Sequence, residues 1–253
     1  MTTTPRNVFG SLADEYARFR PSYPPELFDA IWTRLKTPTP RTVDLAAGAG
    51  AATAPLVARG ARVIAVEPAG AMLTEARRRV AGPWVGGVAA RAEALPLIGG
   101  SADLVTVAQA FHWFDPGSAL EEAARVLVSG GVLALFWNVT EHDDFVHDVA
   151  RLVERWNPDH ERPVNRRMLA TPPALAGHSA FEVERPREIF HSRPMDAESF
   201  VGYAFSWSYV GGALTPEDRT SFERELRALI ERHHGGETWE ERFLTALHLA
   251  RRR

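Results

Sequence analysis

Cysteine is absent from the 253 residues, which excludes disulfides and thiolate metal ligation. Lysine is almost absent as well. Lys36 is the sole example, so a Schiff-base mechanism has one candidate, on a segment leading into Pro38. Codon bias accounts for this scarcity better than a need for guanidinium groups does. No apolar run approaches the roughly 18 residues of a bilayer span, and Met1 to Asn7 lacks the apolar stretch of a signal peptide. A cytoplasmic protein without membrane contact is the expectation. Surplus positive charge is missing too: the net charge is −3 and basic residues are dispersed, so nothing draws the chain to nucleic acid.

The 45% of apolar residues is enough for one sizeable core. After a helix read from Pro25 to Leu35, strands and helices alternate with short turns. Strands are expected at Thr42–Leu45, Arg62–Val66, Val85–Ala89, Ala102–Val107 and Val132–Phe136, with helices near Ala51–Ala58, Ala69–Val80 and Gly117–Leu127. Such alternation predicts a doubly wound parallel sheet. Beyond Asn138 the regularity fades. Helices are expected at Glu141–Trp156, Ala197–Tyr203 and Pro216–His233, the last with Thr215 as N-cap, and strands at Phe181–Phe190 and within Thr238–Leu249. We expect a single domain over 1–253, with an N-terminal lid at 1–40, a cofactor-binding core at 41–138, an insertion at 139–180, and last strands and helices at 181–253.

The most informative stretch is Val43-Asp-Leu-Ala-Ala-Gly-Ala-Gly, an apolar strand running into tiny residues. Small residues let the backbone approach a ligand, and Glu67, closing the next strand, is placed to grip a ribose diol. A nicotinamide fingerprint needs a third glycine, but Thr53 stands there, and Asp44 on the strand would repel a dinucleotide's phosphates. Near a cationic sulfonium nucleoside the same acid is favourable. A structural role for Asp44, satisfying the turn, is the blander alternative; contact with the cofactor is favoured. Ala46 replaces a usual glycine, which is tolerable if its φ is negative.

The chain resembles the class I S-adenosylmethionine-dependent methyltransferases, and more narrowly the type-11 branch close to trans-aconitate methyltransferases. Beyond the first motif, the resemblance rests on Val66-Glu-Pro, Arg91-Ala-Glu-Ala-Leu-Pro-Leu, Gln109-Ala-Phe-His-Trp-Phe and Arg125-Val-Leu-Val-Ser-Gly-Gly. It implies a Rossmann-like seven-stranded sheet, mostly parallel with an antiparallel last strand, an N-terminal lid and an insertion after strand five. Cofactor contacts carried over by this likeness are Tyr16, Arg20, Asp44, Ala46, Gly48, Gly50, Glu67, Pro68, Met72, Ala92, Glu93, Gln109 and Ala110. Met72 would pack on adenine, and Tyr16 to Pro24 would close over the cofactor.

For the acceptor, Tyr23, His112, Trp113 and Trp207 are the candidate binding residues. His112 is the candidate catalytic base because its ordinary pKa is near neutrality, although a carboxylate acceptor needs no base. Phe111 and Phe114 read as core aromatics, and Trp207 suits either a pocket or a lid core. His142, His147, Asp143 and Asp144 lack the spacing of a shared ligand face, so no metal is expected. The function read from these residues is methyl transfer from S-adenosylmethionine, leaving S-adenosylhomocysteine, to a small-molecule carboxylate or hydroxyl, by a monomer or homodimer. The alternative is a non-methylating or cofactor-sensing protein using the same pocket.

Overall fold

The computed structural model describes residues 18–80, 86–141, 143–160 and 166–253. The first helix, α1 (Pro25–Trp32), opens on a proline, whose fixed φ suits a first turn, and buries Leu27, Phe28 and Ile31 along one side. Then follow β1 (Arg41–Leu45), α2 (Thr53–Ala58), β2 (Arg62–Val66), α3 (Gly70–Arg79), β3 (Gly86–Val88), β4 (Ala102–Ala108), α4 (Pro116–Val126) and β5 (Leu127–Thr140). The later elements are α5 (Asp144–Trp156), α6 (Pro173–Ala176), β6 (Phe181–Val183), β7 (Arg187–Met195), α7 (Ala197–Phe205), α8 (Pro216–His234) and β8 (Trp239–Arg252).

The strands lie in the order β3-β2-β1-β4-β5-β8-β6, seven on one path as expected, while an eighth, β7, pairs with β8 off that path. The extra strand arises because the run expected at Phe181–Phe190 is divided. Pro186, which has no N–H to give a ladder, stands between β6 and β7. Neighbours from β3 through β5 are parallel, and β8 runs antiparallel to β6. From β1 the chain winds outward to β2 and β3, then returns to β4 on the other side of β1. The carboxyl ends of β1 and β4 therefore border the switch point of the sheet.

The described residues divide into two compact units. Unit 2 comprises 22–139, 164–189 and 245–253, and its sheet is covered on both faces. Leu104, Val132, Ala134 and Phe136 belong to one core with Leu27, Phe28 and Leu56, whereas Val105, Leu133, Leu135 and Trp137 belong to the other with Leu120, Ala123 and Val126. This is the two-residue period of strands buried on both sides. Of the described residues, unit 1 comprises 18–21, 140–141, 143–160 and 190–244. The lid, insertion and C-terminal segments read from the sequence do not follow these boundaries.

Unit 1 is built around rings. Phe145, Phe200, Tyr203, Phe205, Phe222 and Phe243 are buried in one cluster. Its helices start on side-chain caps: Asp143 accepts from Val146 N at 2.8 Å, Asp196 from Ser199 N at 2.7 Å, and Thr215 from Asp218 N at 3.2 Å. An ion pair, Arg155 to Glu225 at 2.7 Å, links α5 and α8. Along α7, Glu198 pairs with Arg18 at 3.3 Å, and Ser206 C=O accepts from Arg20 Nη2 at 3.1 Å. Gly202 lies between them, and a Cβ there would stand 2.4 Å from the Phe19 ring.

Candidate functional site

The turn after β1 is where small residues matter. Ala46, Gly48 and Gly50 all have positive φ, at 50°, 54° and 83°. Ala46 thus departs from the expected negative φ. The turn needs a left-handed residue there, and an L-alanine supplies it at a cost of roughly 1–2 kcal/mol. Gly50 has a second reason to be glycine: an added Cβ would lie 3.1 Å from Ala76 Cα on α3. Backbone strain of this sort gathers beside functional sites.

Asp44 precedes this turn and is 0% exposed. Its Oδ2 accepts from Thr53 Oγ1 at 2.6 Å and its Oδ1 from Thr106 Oγ1 at 2.8 Å. Thr106 is its register partner on β4. Burial pushes the carboxyl up to about 6 against these two hydrogen bonds, and the charge of Glu67 adds to the rise. Both oxygens of Asp44 are thus engaged by hydroxyls of the fold. It braces the turn by tying β1 to β4 and to the first residue of α2, which also explains the threonine where a third glycine was sought. Its negative charge still lies beneath the turn.

Glu67 stands at the end of β2, 8% exposed. Its Oε2 accepts from Gly48 N at 3.1 Å and its Oε1 from Ala69 N at 3.0 Å. Burial raises its pKa, and the amides of Ala69 and Gly48 work against that rise. Each carboxylate oxygen has a further lone pair, so the group can accept from vicinal hydroxyls while the amides hold it in place. Among the described residues neither Asp44 nor Glu67 has an ion-pair partner. An acidic site without its own cation suits a cationic ligand.

The end of β4 mirrors the end of β1. Gln109 is also left-handed, with φ 59°, and its backbone N–H donates to Phe136 C=O at 2.9 Å. Its side-chain Nε2 donates to Asn138 C=O at 3.2 Å, while its Oε1 is buried without a hydrogen bond among the described residues. Asn138 is itself fixed: its Oδ1 accepts from Thr245 Oγ1 at 2.6 Å and its Nδ2 donates to Ser22 C=O at 3.2 Å. The sequence reading missed Asn138, Thr245 and Thr106. Their signal was a polar residue inside an otherwise apolar buried strand, which needs a partner. Ala110 is buried, and a 3-10 turn at Phe111–Trp113 carries His112, whose ring lies 4.8 Å from that of Trp113. Phe111 is buried against Phe114 as a core aromatic, and Trp113 is 43% exposed.

The other candidates are placed as follows. Tyr23, expected at the acceptor, is 8% exposed and packs edge-on against Phe136 at 4.8 Å, a core position set by the ring neighbours on α1 and β5. Met72, on α3, is 1% exposed. Pro68 is half-buried beside Glu67, and Ala92 is buried. Glu93 is spent on the loop. Burial raises it, but its hydrogen bonds from Arg91 and the Asp115 amide prevail, and its carboxyl falls below the ordinary range. Arg20 belongs to unit 1, with its guanidinium on Ser206 C=O and over the Tyr203 ring at 5.8 Å. Trp207 stacks with Tyr209 at 5.6 Å in unit 1. Tyr16 and His142 lie outside the described residues.

Comparison with known proteins bears on this arrangement. Residues 43–135, the span from β1 to the body of β5, match the type-11 model described as a methyltransferase domain. This stretch is similar to a methyltransferase domain. An uncharacterized methyltransferase of Mycobacterium tuberculosis is 43% identical over 159 residues, 61% of this chain and 63% of that protein. The match thus spans less than two thirds of that relative's length. A candidate methyltransferase of Dictyostelium discoideum is 29% identical over 211 residues, 79% of this chain and 76% of the other. A solved structure of a candidate type II methyltransferase from Anaeromyxobacter dehalogenans superposes with a TM-score of 0.68 at 26% identity, covering 92% of this chain and 98% of that one. The matched span contains the strained turn, Glu67 and the Gln109–Trp113 segment. Among the described residues no helix is long and apolar enough to cross a membrane.

Proposed function

We propose that the chain transfers the methyl group of S-adenosylmethionine to a small-molecule acceptor. The observation that carries this reading is Glu67, buried at the end of β2 and held by the amides of Gly48 and Ala69 beside a turn whose backbone is open to close approach. Glu67 would accept from the ribose hydroxyls, the Ala46–Gly50 backbone would lie against the amino-acid part, and Ala92 and Ala110 would leave room for the base. The residues present fit such a ligand: the acids there are unneutralised, and S-adenosylmethionine brings a sulfonium and an ammonium. The cofactor supplies an activated methyl group on a cationic sulfur. What the chain contributes is in-line positioning of a nucleophile and exclusion of water. His112 would take the proton of a hydroxyl acceptor and would be dispensable for a carboxylate.

Calorimetric titration with S-adenosylhomocysteine, S-adenosylmethionine and NADH tests this reading. Micromolar binding of the sulfur nucleosides without binding of NADH is the expected result. Glu67→Gln should weaken binding roughly tenfold to a hundredfold, since hydrogen bonds to a charged group are at stake. Absence of sulfur-nucleoside binding to the wild-type chain overturns the proposal. Transfer of a labelled methyl group to a panel of acids, phenols and amines then separates acceptor classes, with alkali-labile products marking esters.

A further inference from the structure

Unit 1 sets two opposite charges close together without joining them. β7 pairs with β8, and His191 on β7 stacks on Phe243 of β8 with ring centroids 5.4 Å apart. Arg193 and Glu241 each stand two residues from that pair. The two-residue period of a strand puts them on the sheet face that carries His191 and Phe243. Opposite charges on neighbouring strands of one face ordinarily bond to each other. Here the guanidinium turns to uncharged acceptors: Nη1 donates to Phe19 C=O at 3.4 Å and Nη2 to Met195 Sδ, a weak acceptor, at 3.3 Å.

Glu241 is 4% exposed, and its Oε2 accepts from Trp239 Nε1 at 2.9 Å. Among the described residues neither charge has an ion-pair partner. Burial pushes the Glu241 carboxyl up to about 7 against the Trp239 hydrogen bond, with Asp143 adding to the rise and Arg193 opposing it. Burial also lowers Arg193, against the charges of Tyr203, Glu241 and Asp196. Each group feels the other, and neither offsets the other's loss of water.

We propose that Arg193 and Glu241 form a binding site for a small molecule that carries an anionic group beside a hydrogen-bond donor, as hydroxy acids and amino acids do. The anion takes the guanidinium fork in place of the carbonyl and thioether, because charge-assisted bonds are the stronger ones. The neighbouring hydroxyl or ammonium donates to the Glu241 carboxylate, whose second oxygen Trp239 leaves available. Tyr203 supplies an apolar wall. The site stands on unit 1 alone and does not depend on methyl transfer.

The test is calorimetric titration of the full chain with four compounds on one four-carbon skeleton: malate, aspartate, succinate and malamide. Malate or aspartate should bind, succinate should bind at least about tenfold more weakly because it leaves Glu241 unmatched, and malamide should not bind. Arg193→Gln should abolish binding of all three acids, and Glu241→Gln should narrow the gap between aspartate and succinate. Thermal melts check that both variants fold, and if either does not, the wild-type ranking decides. Equal binding of succinate and malate, binding of malamide, or no binding of any compound at millimolar concentration overturns the site. Tight S-adenosylhomocysteine binding alongside such a failure leaves the proposed function standing; acid binding without nucleoside binding does the reverse.

Discussion

Unit 2 packs aliphatic side chains against both faces of a parallel sheet, whereas unit 1 packs rings among three helices. Both units also bury carboxylic acids, Asp44 and Glu67 in unit 2 and Glu241 in unit 1. Asp44 receives two hydroxyl donors from neighbouring elements, so its burial is matched and its role is to hold a turn in shape. Glu241 receives one indole N–H and has an arginine nearby that it does not reach. The contrast lies in the donors: hydroxyls of the fold engage both oxygens of Asp44, whereas one oxygen of Glu241 receives no hydrogen bond from the described residues.

The ring core of unit 1 invites the strongest challenge. Phe145 is 2% exposed and meets Phe200 at 4.9 Å, His234 at 4.6 Å and Trp239 at 5.8 Å. Phe145→Ala should cost about 3–5 kcal/mol in urea denaturation, the range for truncating a buried aromatic. A loss under about 1 kcal/mol would mean that the rings close over the gap, and that unit 1 is not held as described.

In unit 2 the corresponding strike is Gly50→Ala, which combines a left-handed backbone with a backbone approach at Ala76. We expect a loss of about 2–4 kcal/mol together with weakened S-adenosylhomocysteine binding. Unchanged stability would show that the turn relaxes freely, removing the case for a built cradle.

The matched acid is addressed by pH. With a folded-state value raised to about 6, Asp44 favours the folded state most when protonated. Its contribution is present in full below the unfolded carboxyl range and is lost as pH rises through about 6, on the order of 3 kcal/mol in total. Asp44→Asn should flatten that part of the stability profile while Glu241, raised to about 7, keeps its own fall at higher pH. An unaltered profile would place the titration elsewhere. The smallest effect is Ala46→Gly, which removes left-handed strain and should stabilise by about 0.5–1 kcal/mol once the added freedom of the unfolded chain is counted.

Much of unit 2 was legible because its periodicities are local. Buried strands read as apolar runs, and Pro25 marks the start of α1, whereas the double glycine at 130–131 falls inside β5 rather than at its end. The position of Glu67 was legible for the same reason: it closes an apolar strand, and the structure buries it there. The role of Asp44 was not, because its partners Thr53 and Thr106 become neighbours only through sheet register. Ala46 misled because residue size says nothing about the sign of φ. Tyr23 looked like part of a lid, but it packs against Phe136, more than a hundred positions away in sequence. Unit 1 was hardest, since its ring contacts join residues from three separate stretches of chain.

Gly202 has a consequence for how the described N-terminal residues are kept in place. Arg18, Phe19 and Arg20 meet Glu198, Gly202 and Ser206 in turn, so three successive residues read positions spaced four apart along one helix. Residues four apart share a helical stripe, which makes α7 a ruler with a mark at every turn. Slipping the segment by a single residue would misread all three marks at once: a phenyl ring would face a carboxylate, and a guanidinium would sit over the glycine. Alignment, more than the strength of any one contact, stores the start of the described chain where it is.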